Sequence, residues 1–319
     1  MRWAGAMAIV AVALCAISLG AIEGVLDPNV STFNLPTWKN CFDKRAWVPC
    51  AMRLAFGYSP FAELSEAEVS VKPSGWADKK EQIELVTGAG LHGADLRGAR
   101  AAGVFLVKAD LRSARLEDAV LFGARLERAN LFRARLERAK LSYARLEGAS
   151  LLGASLEGAI LQHARLDGAT TSLFEAHLDG ADLSDANMEG ANLIRAQLTG
   201  ANLSRAQLKG TKLAMARLEG AKLLDARLTN AILVDAHLQR AELMRARLEG
   251  ANLIGAQLTA ANLSTVRLER TNLYKTQLEG ADLSNAFCLT QAQVDSAIRD
   301  EKTKLPSSLP SPCPKLEAE

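Results

Sequence analysis

The sequence lacks most of what enzymes use for catalysis. Its histidines are few and form no cluster: His92, His163, His177 and His237. No CxxC or Cys–His metal spacing, glycine-rich phosphate loop, nucleophile elbow or HExxH motif is present. The sequence therefore predicts no catalytic residue, no metal site and no cofactor.

Aromatic residues and net charge are also scarce. Phe, Trp and Tyr make up 5% of the 319 residues, and the formal net charge is +2. Residues 88–287 hold 26 Lys and Arg against 22 Asp and Glu, a net charge of +4. Nucleic-acid binding needs massed positive charge, so no nucleic-acid partner is expected. Only Asp167–Glu189, with six carboxylates and no Lys or Arg, is acidic enough to suggest a local contact site.

A long hydrophobic run occurs at the N-terminus. Residues 4–21 carry no charge and follow Arg2. They resemble the hydrophobic part of a signal peptide, although their number is close to the ~20 residues that cross a bilayer. Residues 1–22 are thus interpreted as either a cleaved signal peptide or a membrane anchor. Both interpretations predict an exported protein, periplasmic or held in the inner membrane with the rest of the chain outside the cytoplasm.

Two of the five cysteines bracket a loop-sized segment within residues 23–86, a small region without repeats. Cys41 and Cys50 enclose CFDKRAWVPC. In an oxidising compartment they could form a disulfide; the alternative is two free thiols in a small core.

From residue 87 to residue 288 the sequence repeats every five residues. Residues 124–141 read ARLERANLFRARLERAKL, with leucine at every fifth position and alanine two places before it. This period fits neither an α-helix nor a β-strand. The register runs from Leu91 to Leu166, gains two residues near 169–172, and resumes as far as Leu283.

The units resemble those of the pentapeptide-repeat family, whose consensus is A-(D/N)-L-x-x. Close matches are ADLRS at 109–113, ANLIR beginning at Ala191, and ANLST at 261–265. The resemblance implies an all-β solenoid, a right-handed quadrilateral β-helix of about ten coils with four units in each. Leucine and alanine would point inwards and the other three positions outwards. Residues 289–305 look like the capping helix that follows such repeats, and residues 306–319 are interpreted as a proline-rich tail.

The outward positions differ between the four expected sides. Two opposite sides carry arginine before the leucine and glutamate after it, which indicates a solvated, salt-bridged surface. On one remaining side the residues just after leucine are all apolar, whereas most of those on the opposite side are polar. Eight apolar residues in a column predict a contact face: Phe132, Leu152, Phe174, Ile194, Ala214, Val234, Ile254 and Tyr274.

These patterns predict a non-catalytic scaffold, an exported or membrane-anchored rod whose flat faces contact a protein partner or a second copy of the chain. The membrane would be a further partner, through residues 4–21, if the first segment is retained. Some members of the family are strongly acidic rods that mimic DNA and bind topoisomerases. That function is the alternative, which the slightly basic repeats disfavour. An enzyme would have to reside in residues 23–86, a short stretch for a catalytic domain.

Overall fold

The computed structural model describes Leu64, residues 69–74 and residues 76–313. The interpretations of residues 1–22, and of Cys41 and Cys50 as a disulfide, lie outside the described residues. No helix in the described ranges is long and apolar enough to span a bilayer.

Each five-residue unit pairs through the residue that precedes its central leucine. Asp110 forms a parallel bridge with Asn130, twenty residues later. The N–H of Asp110 donates to the carbonyl of Ala89 at 2.8 Å, and the N–H of Leu111 donates to the carbonyl of Asn130 at 2.7 Å. Throughout the repeats that the structure describes, these bridges are isolated and do not extend into longer strands. Pairing therefore stops at every corner, and twenty residues form one coil.

The bridges stack in four columns along the chain. We call these columns sides 1 to 4, after the coil in which their bridging residues are Asp110, Arg115, Val120 and Arg125. Sides 1 and 3 are opposite each other, as are sides 2 and 4. Each outward position consequently lies over the same position of the next coil, about 4.8 Å away.

The chain turns at the second residue after each leucine, in the left-handed region of backbone conformation. Gly153 occupies this position with φ 60°, and Arg133 occupies the equivalent position one coil earlier with φ 52°. A non-glycine residue pays a conformational cost of about 1–2 kcal/mol there. The corner therefore favours glycine but also accepts charged side chains, which project from the edges of the solenoid.

The interior consists of the leucine and the alanine of each unit. Leu223 is 1% exposed and Ala226 is fully buried, and the other units repeat this pattern. Burial of each leucine contributes about 1.5–3 kcal/mol. The void between the leucines from Leu193 to Leu258 has a volume of about 10 Å³, at the lower limit for one water molecule. This stretch of the interior therefore has no room for a ligand.

The two additional residues lie in the corner after Asp167. Bridges that cross this corner, such as Ser150 to Ser172, join residues 22 apart instead of 20. Thr171 is fully buried at the position that alanine takes elsewhere. Its hydroxyl accepts from the N–H of Gly148 at 2.7 Å and donates to the carbonyl of Asp167 at 2.8 Å. These bonds join the widened corner to its neighbour and keep the later coils in register.

The residues before the repeats pack against the first coil. The N–H groups of Val69 and Ser70 donate to the carbonyl of Phe105 at 3.1 and 2.9 Å. A 3₁₀ helix, Lys80–Leu85, follows. The Trp76 ring meets the Phe105 ring edge to face, with 5.5 Å between centroids. The segment thus covers part of the N-terminal edge and the start of side 4.

The helix after the repeats is much shorter than the predicted 289–305. Helix α1 is Gln291–Ser296, and Thr290 and Gln293 form a capping box at its start. Beyond it the chain is extended: Ile298 bridges to Gln277, and Lys304 bridges to Asp282. A longer helix would have left these backbone groups of the last coil unpaired, so the segment forms one irregular further coil instead.

Residues 306–313 are not a free tail, contrary to the interpretation of 306–319. Ser311 is 4% exposed, and its N–H donates to the carbonyl of Leu289 at 2.9 Å. A disulfide joins Cys288 to Cys313, with 4.6 Å between their Cα atoms. The proline-rich segment is therefore fixed against the C-terminal end of the solenoid, which the sequence did not predict.

Replacement of a central leucine by a carboxylate should unfold the solenoid locally or entirely. Leu223→Asp places a charge without a partner in the interior, which costs several kcal/mol. The neighbouring change Leu224→Asp is the matched control, because Leu224 faces outwards and is half-buried. Circular dichroism should show a strongly lowered melting temperature for the first variant and a small change for the second. Equal melting temperatures would contradict the inward orientation of Leu223.

Candidate interaction surfaces

Among the described residues, the groups that could bind a metal ion do not form a usable site. His177 and His237 lie in the same column of side 2, three coils apart, or about 14 Å. The ligand atoms of Glu269, Cys288 and Cys313 lie within 4.8 Å of one another. However, both sulfurs belong to the disulfide, and metal binding by cysteine needs the thiolate.

The arginine and glutamate columns of side 4 are more buried than a solvated surface would be. Glu127 is 2% exposed, and its carboxylate lies 2.8 Å from the guanidinium of Arg125 and 3.0 Å from that of Arg145. Asp78, from the segment before the repeats, approaches Arg125 to 2.5 Å. Long side chains stacked at the coil spacing cover one another, so side 4 is a rigid ladder of alternating charge.

Glu147, one coil further along side 4, shows the cost of this packing. Burial raises the pKa of its carboxyl above the usual value, and the neighbouring carboxylate of Glu127 adds to the rise. Arg165, at 3.0 Å, and Arg145, at 3.8 Å, lower the pKa but do not cancel the effect of burial. The ionised form of Glu147 is therefore less stable in the folded protein than in water.

Charged corner residues pair with the residue one coil away. A hydrogen bond from Arg138, at 2.7 Å, lowers the pKa of Asp118, and Arg205 and Arg245 act in the same way on Asp185 and Asp225. These pairs are exposed, and each contributes little to stability. Their main effect is that the charges at these corners are neutralised by other residues of the same chain.

The predicted apolar column lies on side 1 and faces outwards, but it is less exposed than a free surface column. Its members from Phe132 to Ile254 are half-buried, and only Tyr274 is fully exposed, at 51%. The asparagine two places earlier holds several of them: Asn130 accepts from the N–H of Phe132 at 3.1 Å, and Asn252 accepts from that of Ile254 at 3.2 Å. These bonds keep the outward segment extended and the face flat.

Two apolar residues of side 1 were missed by the sequence analysis. Met215, at a corner, is 47% exposed, and Ile232, a bridging residue, is 39% exposed. Neither residue occupies the position after leucine, although the other outward positions carry the same information. Of the outward residues of side 1 before the corner, only Lys212 is charged between Asn130 and Tyr274.

Side 3, expected to be mostly polar, holds an exposed aromatic stack near its N-terminal end. Phe122 and Tyr143 are 51% and 52% exposed, with 5.3 Å between their ring centroids. Tyr143 stacks in turn on His163 at 4.8 Å. Further along, Asp182 accepts hydrogen bonds from Gln162 and Asn202, so the middle of this side is polar.

Comparison with known proteins gives one family and several solved structures. A family model described as pentapeptide repeats matches in eight copies, over residues 89–128, 129–168, 176–214, 214–250 and 251–287. A comparison with curated proteins found no match.

The chain is similar to HetL, a pentapeptide repeat protein involved in heterocyst differentiation regulation in the cyanobacterium Nostoc sp. strain PCC 7120. The identity is 38%, over 58% of this chain and 82% of HetL, with a TM-score of 0.56. Rfr23 from the cyanobacterium Cyanothece 51142 is 33% identical over 30% of this chain and 63% of its own, with a TM-score of 0.27. QnrB1, a plasmid-mediated fluoroquinolone resistance protein, is 18% identical over 54% of this chain and 92% of QnrB1, with a TM-score of 0.34.

Substitution of Glu147 by glutamine should leave the protein as stable or stabilise it at pH 7. A raised carboxyl pKa favours the folded state below the ordinary glutamate value of about 4.3. That contribution is lost as the pH rises through the folded pKa. Glu147→Gln should therefore raise the free energy of unfolding at pH 7 by between zero and ~1 kcal/mol. As the pH falls through the raised pKa, the free energy of unfolding of the wild type should rise relative to that of the variant. Denaturant unfolding at several pH values measures the difference between the two proteins. A clearly lower free energy of unfolding for the variant at pH 7 would contradict the prediction.

Proposed function

Because the chain belongs to the pentapeptide repeat family, we propose that it is a non-catalytic scaffold that contacts other proteins through a flat face. In this proposal the chain is a quadrilateral rod of about ten coils, closed at its C-terminal end by the segment that contains α1. The observation that carries the proposal is side 1. Between Asn130 and Tyr274 it holds eight apolar residues in one column and a single charged residue, Lys212, among its outward positions before the corner.

The composition of side 1 supports contact with a protein. The centres of protein interfaces are depleted in charged residues, and their rims are polar. From Asn130 to Tyr274 side 1 has this arrangement, because charged residues such as Arg133 and Asp235 lie at its corner and, apart from Lys212, uncharged residues fill its centre. Sides 2 and 4 direct much of their charge into ladders within the chain, which leaves them less free for a partner.

We further propose that the protein is exported, as residues 1–22 predict. The disulfide between Cys288 and Cys313 supports this proposal, because such bonds persist in oxidising compartments and are rare in the cytosol. The pairing also fixes the last coil, which suits a protein that has to remain folded outside the cell interior.

The contact face is tested by making side 1 polar. Replacing Phe174, Ile194, Val234 and Ile254 together with threonine should abolish association, because it removes apolar area from the centre of the face. Threonine suits these extended positions, so the melting temperature should change little. Association is measured by sedimentation velocity and by chemical cross-linking in extracts of the native cell.

The matched control changes the apolar residues at the same position of side 3. Phe122, Leu224 and Met244 are replaced together with threonine, and association should be retained. If the side 1 variant associates as well as the wild type, or if only the side 3 variant fails, the contact face is not side 1.

Export is tested by fractionation. The protein should appear in the periplasmic fraction if residues 1–22 are cleaved, or in a membrane fraction that resists carbonate washing if they are retained. A variant that lacks residues 1–22 should remain in the cytoplasm. Wild-type protein in the cytoplasmic fraction would contradict the proposal and reopen the alternative of a cytoplasmic regulator.

A further inference from the structure

The corner between sides 1 and 2 carries an irregular series of charges. We number the coils 1 to 10 by their bridging residues on side 1, from Gly90 to Asn272. The residues with positive φ at this corner, which we call the rim of side 1, follow one another from coil 3 to coil 10 as Arg133, Gly153, Glu175, Arg195, Met215, Asp235, Gly255 and Lys275.

Three of these charges, Arg133, Asp235 and Lys275, have no counter-ion among the described residues, and Lys275 lies over the ring of Tyr274. Glu175 and Arg195 pair with each other at 3.3 Å. Arg133 and Asp235 are exposed and form no ion pair with any residue that the structure describes. The Arg133 guanidinium instead lies 5.0 Å from the ring of Phe132, over side 1. Arg133 and Asp235 are five coils apart, or about 24 Å. They are therefore too distant to neutralise each other within one molecule.

A second copy of the chain can bring these two charges together. In a twofold arrangement of antiparallel rods, face to face, the rim of one copy lies along the rim of the other. If the axis passes between coils 5 and 6, coil 3 of each copy faces coil 8 of its partner. Arg133 then faces Asp235 at both ends of the interface. Near the axis, Glu175 of one copy faces Arg195 of the other.

The apolar column fits the same register. Phe132 in coil 3 faces Val234 in coil 8, and Phe174 faces Ile194 across the axis. In coils 4 and 7 the large Leu152 faces the small Ala214. In these two coils a large side chain therefore meets a small one, which allows close packing there.

The four nearest antiparallel registers bring like charges together. Moving the axis by half a coil places either Arg195 or Glu175 against its own copy. Moving it by a full coil towards the C-terminus sets Arg133 against Lys275 and Glu175 against Asp235. A full coil in the other direction sets Arg133 against Arg195. Such contacts disfavour the wrong partner or register.

The opposite rim, between sides 4 and 1, has no comparable series. Its six corner residues from Gly148 to Gly250 are uncharged, and five of them are glycine. A parallel arrangement would place this rim against the charged one, and Arg133 and Asp235 would remain without counter-ions. The charged rim therefore favours antiparallel rods.

We propose that side 1 binds side 1 of a second copy of this chain, with the rods antiparallel and the twofold axis between coils 5 and 6. This inference rests on the proposed function of side 1 as a contact face and names its occupant. Ten coils at ~4.8 Å give the face a length of roughly 45 Å. With both rims it offers on the order of 800 Å², which is what each partner contributes to a standard interface.

The test reverses one charge at a time in the full chain. Arg133→Glu and Asp235→Arg each place like charges opposite each other at both ends of the dimer. Each variant should weaken the dimer by at least about tenfold in Kd, as measured by sedimentation equilibrium. An equimolar mixture of the two variants should restore the dimer, because Glu then faces arginine at one end and Asp235 faces Arg133 at the other. The double variant should also dimerise, to within about threefold of the wild-type Kd.

A matched control and the melting temperature separate binding from folding. Arg240→Glu reverses an exposed corner charge between sides 2 and 3 and should leave the Kd unchanged. All variants should keep the wild-type melting temperature, because the same corners already accept both arginine and glutamate.

Each outcome has a distinct meaning. A monomeric wild type would overturn the inference; if the side 1 threonine variant then loses a cross-linked protein of another kind, the proposed function stands. A dimer that the threonine substitutions disrupt, but that neither charge reversal affects, would keep the contact face and overturn the register. The register would also be overturned if the mixture of the Arg133→Glu and Asp235→Arg variants failed to restore the dimer.

Discussion

The structure depends on the filling of a narrow interior by one leucine and one alanine in each unit. Ala221 and Leu223 illustrate the pair, which is buried in nearly all of the repeats. Because this volume is fixed, each coil returns after twenty residues and pairs its backbone with the next. Every outward position therefore lies over its equivalent in the neighbouring coil. The surface is a set of columns, and any side chain that recurs at one position forms a stripe of charge or of apolar area.

The regular part of the fold could be predicted from the sequence because its cause is local. Leucine at every fifth position identifies the inward residues, and the two-residue skip marks the widened corner that the hydroxyl of Thr171 closes. The C-terminal end could not be predicted in the same way. Helix α1 stops at Ser296 because Ile298 is needed to pair with the last coil. The Cys288–Cys313 disulfide joins residues 25 apart that share no periodic pattern, although a cysteine at a leucine position was a signal.

The candidate face could be predicted in position but not in exposure. The column from Phe132 to Tyr274 lies on one side because of the period alone. Its half-burial depends on side chains one coil above and below, and the period does not reveal how closely they pack. Met215 and Ile232 were overlooked for the converse reason. Met215 lies at a corner and Ile232 at a bridging position. Most other coils carry polar residues or glycine at these two positions, so the period does not mark either residue as part of an apolar column.

The same columns determine what the surface can recognise. Where opposite charges are one coil apart, as in Asp225 and Arg245, the chain neutralises them itself. Such pairs give the surface little means of distinguishing one partner from another, because a partner would first have to break them. Specificity has to come from charges that the twenty-residue period leaves without a counter-ion, and from their spacing along an otherwise uncharged face. In a solenoid, therefore, departures from the repeat carry more information about binding than the repeat itself.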